Sequence, residues 1–332
     1  MTFSDDMNIA VSIAITGGIG GIERNIFTFT KALTSYSIDI YTMQFIPRGF
    51  VPRGKNVTIK WFEKKESDLY IALDDQKYYD LYFYYAACQP IYIGDHLNVG
   101  KKIIVPNGND IRAIENRFDH VICQADDGIR YFSNNHKKIS ITPCVIIPVN
   151  RTEYIPNIPD QYFLTVFNPY DRESLYEDGL KPTKGYDLIY ELADHMTLPL
   201  IWCHSGESLP VSHNIKNHPN IIHFSNLAQE KLYYLYENAT AYVSFSREES
   251  FGWSLADAIM FDKPIISRNI GIISSLNKDQ PGLYIYHDKD QLLDLLHCKT
   301  FHKGNYDKAP FSPVLFKNKI LALAGKAPAV LQ

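Results

Sequence analysis

The strongest constraint on this chain is a pattern that occurs twice. Short β-rich apolar runs alternate with segments of helical period, halt at a polar stretch bearing prolines, and begin again. In the first half the strand-like runs are 8–15, 38–45, 58–62, 80–85, 102–105, 120–124 and 140–146, with helices at 22–33 and 126–134. In the second half strands at 162–167, 200–204, 221–224, 241–245, 264–267 and 283–286 alternate with helices at 185–196, 229–238, 254–261 and 291–297. Near-continuous apolar strands interleaved with helices are the signature of parallel βαβ units, whose sheets are covered on both faces. The expected fold class is α/β, with two Rossmann-like, doubly wound parallel-sheet domains facing each other across a cleft. Ligands of such sheets sit at the carboxyl ends of the strands.

The expected boundaries are 1–150 for a first Rossmann-like domain, 151–310 for a second, and 311–332 for a last helix packing back on the first domain. The join falls in 148–161, which contains Pro148, Pro156 and Pro159. A chain of 332 residues exceeds one ordinary core and suits two. Its formal net charge is -4, without a basic cluster, so nothing marks a nucleic-acid partner. The cysteines are five and scattered, which reads as small buried hydrophobes in a reducing, cytoplasmic compartment. No apolar run reaches the ~20 residues of a membrane helix, although peripheral contact with a membrane stays open.

The most informative stretch runs from Ser246 to Ala258, between two apolar runs. It reads as a strand, a tight acidic turn, a short helix and a strand. Gly252 permits close backbone approach to a ligand, and the N–H groups of Phe251, Gly252 and the helix start suit phosphate oxygens. Glu249, in the turn beside Ser250, and Asp257, eight positions on, are acceptors for sugar hydroxyls, because ionised carboxylates only accept. The competing reading is a pair of capping carboxylates at a helix start.

Two other segments suit anions. The first strand runs into a glycine loop, Gly17-Gly18-Ile19-Gly20-Gly21, that feeds a helix containing Arg24. A dinucleotide site fails there, because Glu23 stands where a third glycine belongs and the second strand ends without an acid. In the second half Lys184 precedes Gly185 and a helix, an unfavourable place for a cation unless an anion is shared with it. Arg172, twelve residues upstream, is the candidate second cation, since arginine suits phosphate. The eleven histidines show no metal spacing, so no metal ligands are assigned.

Taken together these segments resemble the retaining glycosyltransferases of family 4, which have the GT-B fold. The resemblance lies in Gly20-Gly21-Ile22-Glu23-Arg24, in Lys184-Gly185-Tyr186-Asp187, in Asn220 to Phe224, and most specifically in Glu249-Ser250-Phe251-Gly252 through Asp257-Ala258-Ile259-Met260 with Lys263-Pro264 after it. It implies an enzyme that moves a sugar from a nucleotide diphosphate sugar, such as a UDP- or GDP-sugar, to a hydroxyl acceptor on a glycan or glycolipid, with no separate cofactor and no metal. By that resemblance Glu249 holds hydroxyls of the donor sugar, Phe251 and Gly252 line the sugar and diphosphate, and Asp257 holds the ribose. Lys184 and Arg172 neutralise the diphosphate, and Gly20, Gly21, Ser250 and Leu227 complete the donor side. On the acceptor side stand Arg24, Asn107, Asn109 and Asp110, the last three where the family carries a histidine. Asp257 in place of glutamate, Ser250 in place of glycine, and the displaced arginine are departures from the family pattern. The alternatives are a nucleotide-sugar epimerase or hydrolase, and a non-catalytic binder of sugar nucleotides.

Overall fold

The computed structural model describes residues 7–16, 21–45, 52, 54–64, 70–72, 76–86, 92–106, 112, 114–132, 139–146, 151–168, 173–176, 179–205 and 218–326. The chain divides into two compact units, residues 1–147 with 309–332 and residues 148–308.

The first unit opens with β1 (Asn8–Thr16), α1 (Gly21–Ala32), β2 (Ser37–Phe45), β3 (Val57–Lys64), β4 (Tyr70–Ala72), β5 (Tyr78–Tyr85), β6 (Asn98–Val105), β7 (His120–Cys123) and β8 (Ile139–Ile141). These strands form one eight-stranded sheet, order β4-β3-β2-β1-β5-β6-β7-β8, parallel except for the β3–β4 pair. Alternation along β5 shows why both faces are dry: Leu81, Phe83 and Tyr85 join one core with α1, while Tyr82 and Tyr84 join the other. The helix expected at 126–134 is instead a 3₁₀ segment, Asp126–Tyr131, which carries Gly128 packed against Cys123. The strand expected at 140–146 pairs only over Ile139–Ile141, because its partner β7 ends at Cys123 and the Thr142 N–H bond to the Cys123 carbonyl is the last rung.

At the start of β2 the carboxylate of Asp39 is buried among polar partners. It accepts from the Tyr79 hydroxyl at 2.6 Å and lies 3.0 Å from Lys60 Nζ and 3.1 Å from Lys77 Nζ. Burial raises its pKa, but the bonds from Tyr79, Lys60 and Lys77 outweigh that effect and hold it below the usual carboxylate value. A depressed native pKa contributes stability above the unfolded value of about 3.9, and that stability is lost as pH falls through the native value. Melting curves between about pH 5 and pH 3 are therefore expected to fall more steeply for the natural chain than for Asp39→Asn; parallel curves would remove Asp39 from the account of acid stability.

The second unit contains β9 (Phe163–Val166), β10 (Glu173–Tyr176), β11 (Gly179–Pro182), α2 (Tyr186–Leu192), β12 (Leu200–His204), β13 (Ile221–Ser225), α3 (Gln229–Asn238), β14 (Ala241–Val243), α4 (Trp253–Met260), β15 (Ile265–Ser267), β16 (Leu283–Ile285) and α5 (Lys289–Leu296). Its sheet has six strands, all parallel, in the order β13-β12-β9-β14-β15-β16. The antiparallel hairpin β10–β11 stands apart from it and fills the insertion between β9 and α2. Apolar residues of α2, α5 and the strands, with Trp202 fully buried among them, make the core.

The chain then returns to the first unit in α6 (Pro313–Leu323). Ser312 caps its start by accepting from the Leu315 N–H, with Pro313 at the first helical position, where a missing N–H costs nothing. The ring of Phe316 packs edge-on against Phe29 at 5.7 Å, and Lys319 Nζ donates to the Ile141 carbonyl at 2.8 Å. No helix of the described residues is long and apolar enough to cross a membrane.

Candidate active site

The second sheet is wound outward from β9, first through β12 to β13 and then back to β14 on its other side. The order therefore reverses between β9 and β14, and the segments leaving their carboxyl ends diverge to opposite sides of a crevice. The segment after β9 leads through the hairpin into Lys184, and the segment after β14 is the acidic turn. Sixty-five residues apart in sequence, Lys184 Nζ donates to Glu249 Oε1 at 2.6 Å. Their side chains are 21% and 14% exposed, so the pair sits half out of water, where it is screened less than a surface pair.

Gly185 sets the backbone of the lysine turn. Its φ of 66° is left-handed, and a Cβ there would lie 2.0 Å from the Phe245 carbonyl oxygen. Only glycine lets the turn press so closely on the chain leaving β14. Beside it the Arg247 guanidinium forks onto Asp187, with both bonds at 2.7 Å, and Nη1 also donates to the Pro182 carbonyl at 2.8 Å. The Arg247 N–H donates to the Thr183 carbonyl at 2.8 Å.

The acidic turn is braced from a third strand. After β15 the chain forms a 3₁₀ segment, Gly271–Ser275, whose Ile272 N–H donates to the Phe251 carbonyl at 2.7 Å. A Cβ on Gly271 would stand 2.6 Å from that carbonyl oxygen and 2.9 Å from the Glu249 Cβ. Beneath the turn Tyr242 is buried, and its hydroxyl pKa is driven up by burial, with the Glu249 and Asp257 charges adding to it. Tyr286 donates to the Ser244 carbonyl at 2.9 Å and is pushed up to about 12 by burial, against opposing Arg268 and Arg247. Both phenols stay protonated at neutral pH and serve as scaffold rather than as bases.

The acidic turn brings together most of the residues that sequence assigns to the donor. Ser250 is half-buried, Phe251 is 2% exposed, and Gly252 precedes α4 with a left-handed φ of 83°. Asp257 lies inside α4 and is 4% exposed. Leu227 is half-buried on the loop after β13, next to Asn226, whose N–H donates to the His204 carbonyl at 2.9 Å. In the first unit Gly21 is the exposed first residue of α1, and Arg24 is 8% exposed on that helix, with its charge acting on the Cys144 thiol. Arg172, Gly20, Asn107, Asn109 and Asp110 lie outside the described residues. Among the described residues no three His, Cys, Asp or Glu side chains gather in a metal-holding group.

Sequence reasoning passed over Arg247, Asp187 and Gly271. Asp187 had a signal, since it stands in the first turn of a helix beside a lysine, but its partner lies sixty residues away and emerges only when β9 and β14 are known to be neighbours.

Residues 167–296, from the end of β9 through α5, match the family glycosyl transferases group 1. No curated protein matches the sequence. Among solved structures, HepE of Anabaena, in complex with UDP and glucose, is similar at 13% identity and a TM-score of 0.63, over 96% of this chain and 99% of that one. The sucrose-phosphate synthase of Thermosynechococcus elongatus aligns at 15% identity and a TM-score of 0.60, over 87% and 88%. The pneumococcal O-GlcNAc transferase GtfA, in complex with UDP and GlcNAc, aligns at 13% and 0.55, over 96% and 94%. At such identities the likeness is one of fold, and with two parallel-sheet α/β units the fold is GT-B. Residues 167–296 carry the group 1 match within that fold, and the chain is a glycosyltransferase.

Proposed function

We propose that this glycosyltransferase is a retaining enzyme of family 4 that transfers a sugar from a nucleotide diphosphate sugar to a hydroxyl of a glycan or glycolipid. The observation that carries the reading is the 2.6 Å contact between Lys184 and Glu249 at the strand reversal of the second sheet. An ammonium has three N–H donors, and Glu249 takes one of them. The others suit a diphosphate oxygen, so that the lysine bridges leaving group and carboxylate. Glu249 then accepts from hydroxyls of the sugar, and the amides around Phe251 and Gly252 face the phosphates. Asp257 is assigned to the ribose, and Arg172 to the diphosphate beside Lys184.

The chemistry follows from where charge develops. As the bond from the anomeric carbon to the phosphate oxygen breaks, negative charge gathers on the diphosphate, and a cation fixed beforehand favours that change over the ground state. Glu249, engaged by Lys184, is poorly placed to attack carbon. The acceptor oxygen therefore approaches from the face the diphosphate leaves, its proton passes to the departing phosphate oxygen, and the anomeric configuration is kept. In this reading the charge is carried by side chains and amides without a metal ion.

UDP-sugars are the first donors to try, because HepE and GtfA were each solved with UDP. We take the setting to be cytoplasmic, with any membrane contact peripheral, in keeping with Cys123, Cys144 and Cys203, which are buried and unpaired. A panel of UDP- and GDP-sugars should contain one that raises the melting temperature, since a ligand at 100 times its Kd adds about 2.7 kcal/mol. With that donor and an acceptor, NMR of the product is expected to show the donor's anomeric configuration. An inverted product would overturn the retaining assignment, and a changed sugar without acceptor would point to an epimerase.

A further inference from the structure

We infer that Arg247 and Asp187 are positioning residues: their ion pair holds the lysine turn on the acidic turn, so that Lys184 meets Glu249. What this achieves for catalysis rests on the proposed function, whereas the hold itself does not. Four bonds run from Arg247 to residues flanking Lys184. Its guanidinium takes both oxygens of Asp187 at 2.7 Å and the Pro182 carbonyl at 2.8 Å, and its own N–H takes the Thr183 carbonyl at 2.8 Å. The Arg247 side chain is 9% exposed, so water competes little for these bonds.

The need for such a strap lies in Lys184 itself. Its ammonium ends a flexible four-carbon stem, so where it points depends on where its backbone is anchored. That backbone is reached through a separate hairpin rather than directly from a sheet strand, and Gly185 adds no side chain to wedge it in place. Arginine is suited to the task because its planar fork matches a carboxylate in two bonds, and a lysine offers only a point charge. With three of its five donors committed to Asp187 and Pro182, Arg247 is assigned to the turn that carries Lys184.

The test follows the Lys184 amine directly. Native-state acetylation read by mass spectrometry is compared in the natural chain, Arg247→Ala, Arg247→Lys and Asp187→Asn, with Lys289, whose side chain is 53% exposed, as internal reference. Lys184 labelling is expected to rise roughly fivefold in Asp187→Asn, the change for losing an ion pair of ordinary strength, and less in Arg247→Lys, while Lys289 is unchanged. In the same variants kcat for transfer is expected to fall about 100-fold with the donor KM little altered, as for a misplaced catalytic group, with partial rescue in Arg247→Lys. Should Arg247→Ala unfold, Lys289 will speed up as well, and the two conservative variants decide. Unchanged Lys184 labelling in both, or faster labelling with transfer undiminished, would overturn the inference. A natural chain that transfers from no nucleotide sugar would instead sink the proposed function, with the labelling still deciding the hold.

Discussion

Lys184→Ala is expected to lower kcat for sugar transfer by about 100- to 1,000-fold, the usual cost of removing one group that stabilises developing negative charge. Glu249→Ala should lose a similar amount, because it removes the carboxylate proposed to accept from the sugar's hydroxyls and also frees the ammonium to rotate away. The two side chains touch at 2.6 Å, so their effects should not add, and the double variant should be little worse than either single one. Both variants are expected to stay folded, since neither side chain belongs to the hydrophobic core of the second unit. Steady-state kinetics with a melting curve for each variant checks this. Collapse of the fold in either variant, or full activity in Lys184→Ala, would reduce the pair to a structural contact.

Gly185→Ala is expected to be the most damaging single methyl in the second unit. The left-handed backbone costs a non-glycine residue about 1–2 kcal/mol. The added carbon would also stand 2.0 Å from the Phe245 carbonyl oxygen, so the lysine turn must lift off the chain leaving β14. Lifting it breaks the Thr183 and Pro182 bonds to Arg247 and withdraws Lys184 from Glu249. Loss of several kcal/mol and of nearly all transfer is therefore expected. Gly179→Ala supplies the control: its φ is 108°, but nothing lies within 4 Å of the added carbon, so it meets strain without a clash. Chemical denaturation of the two variants separates them, and equal losses would show that the close approach at Phe245 does not matter.

Much of the architecture was legible because its cause is local. Runs such as 200–204 and 229–238 have the period and flanks of their elements, and they coincide with β12 and α3. Where reading failed, a distant partner or an interruption decided. β8 stops where β7 gives out, and an expected helix is a 3₁₀ segment whose Gly128 packs against Cys123. The hairpin β10–β11 was invisible, because the insertion that holds it has neither helical period nor a sheet neighbour to impose alternation.

The site divides in the same way. Glu249, Ser250, Phe251, Gly252 and Asp257 lie within nine residues, and their layout of turn and helix could be read from spacing. That Lys184 touches Glu249 was beyond such reading, since it depends on which strands flank β9. Arg247 was passed over for a related reason. It stands just before two glutamates, where sequence suggests a local charge pair, yet the fold gives it to Asp187. Residues 17–20 of the glycine loop lie outside the described residues, and its last glycine, Gly21, opens α1.

A crystal structure of the chain with UDP bound tests the central claim most directly. A diphosphate oxygen is expected within hydrogen-bond distance of Lys184 Nζ, about 3 Å, with Glu249 still on the lysine and its free oxygen turned toward the position of the sugar. UDP seated elsewhere on the second unit, with Lys184 and Glu249 both facing solvent, would contradict it.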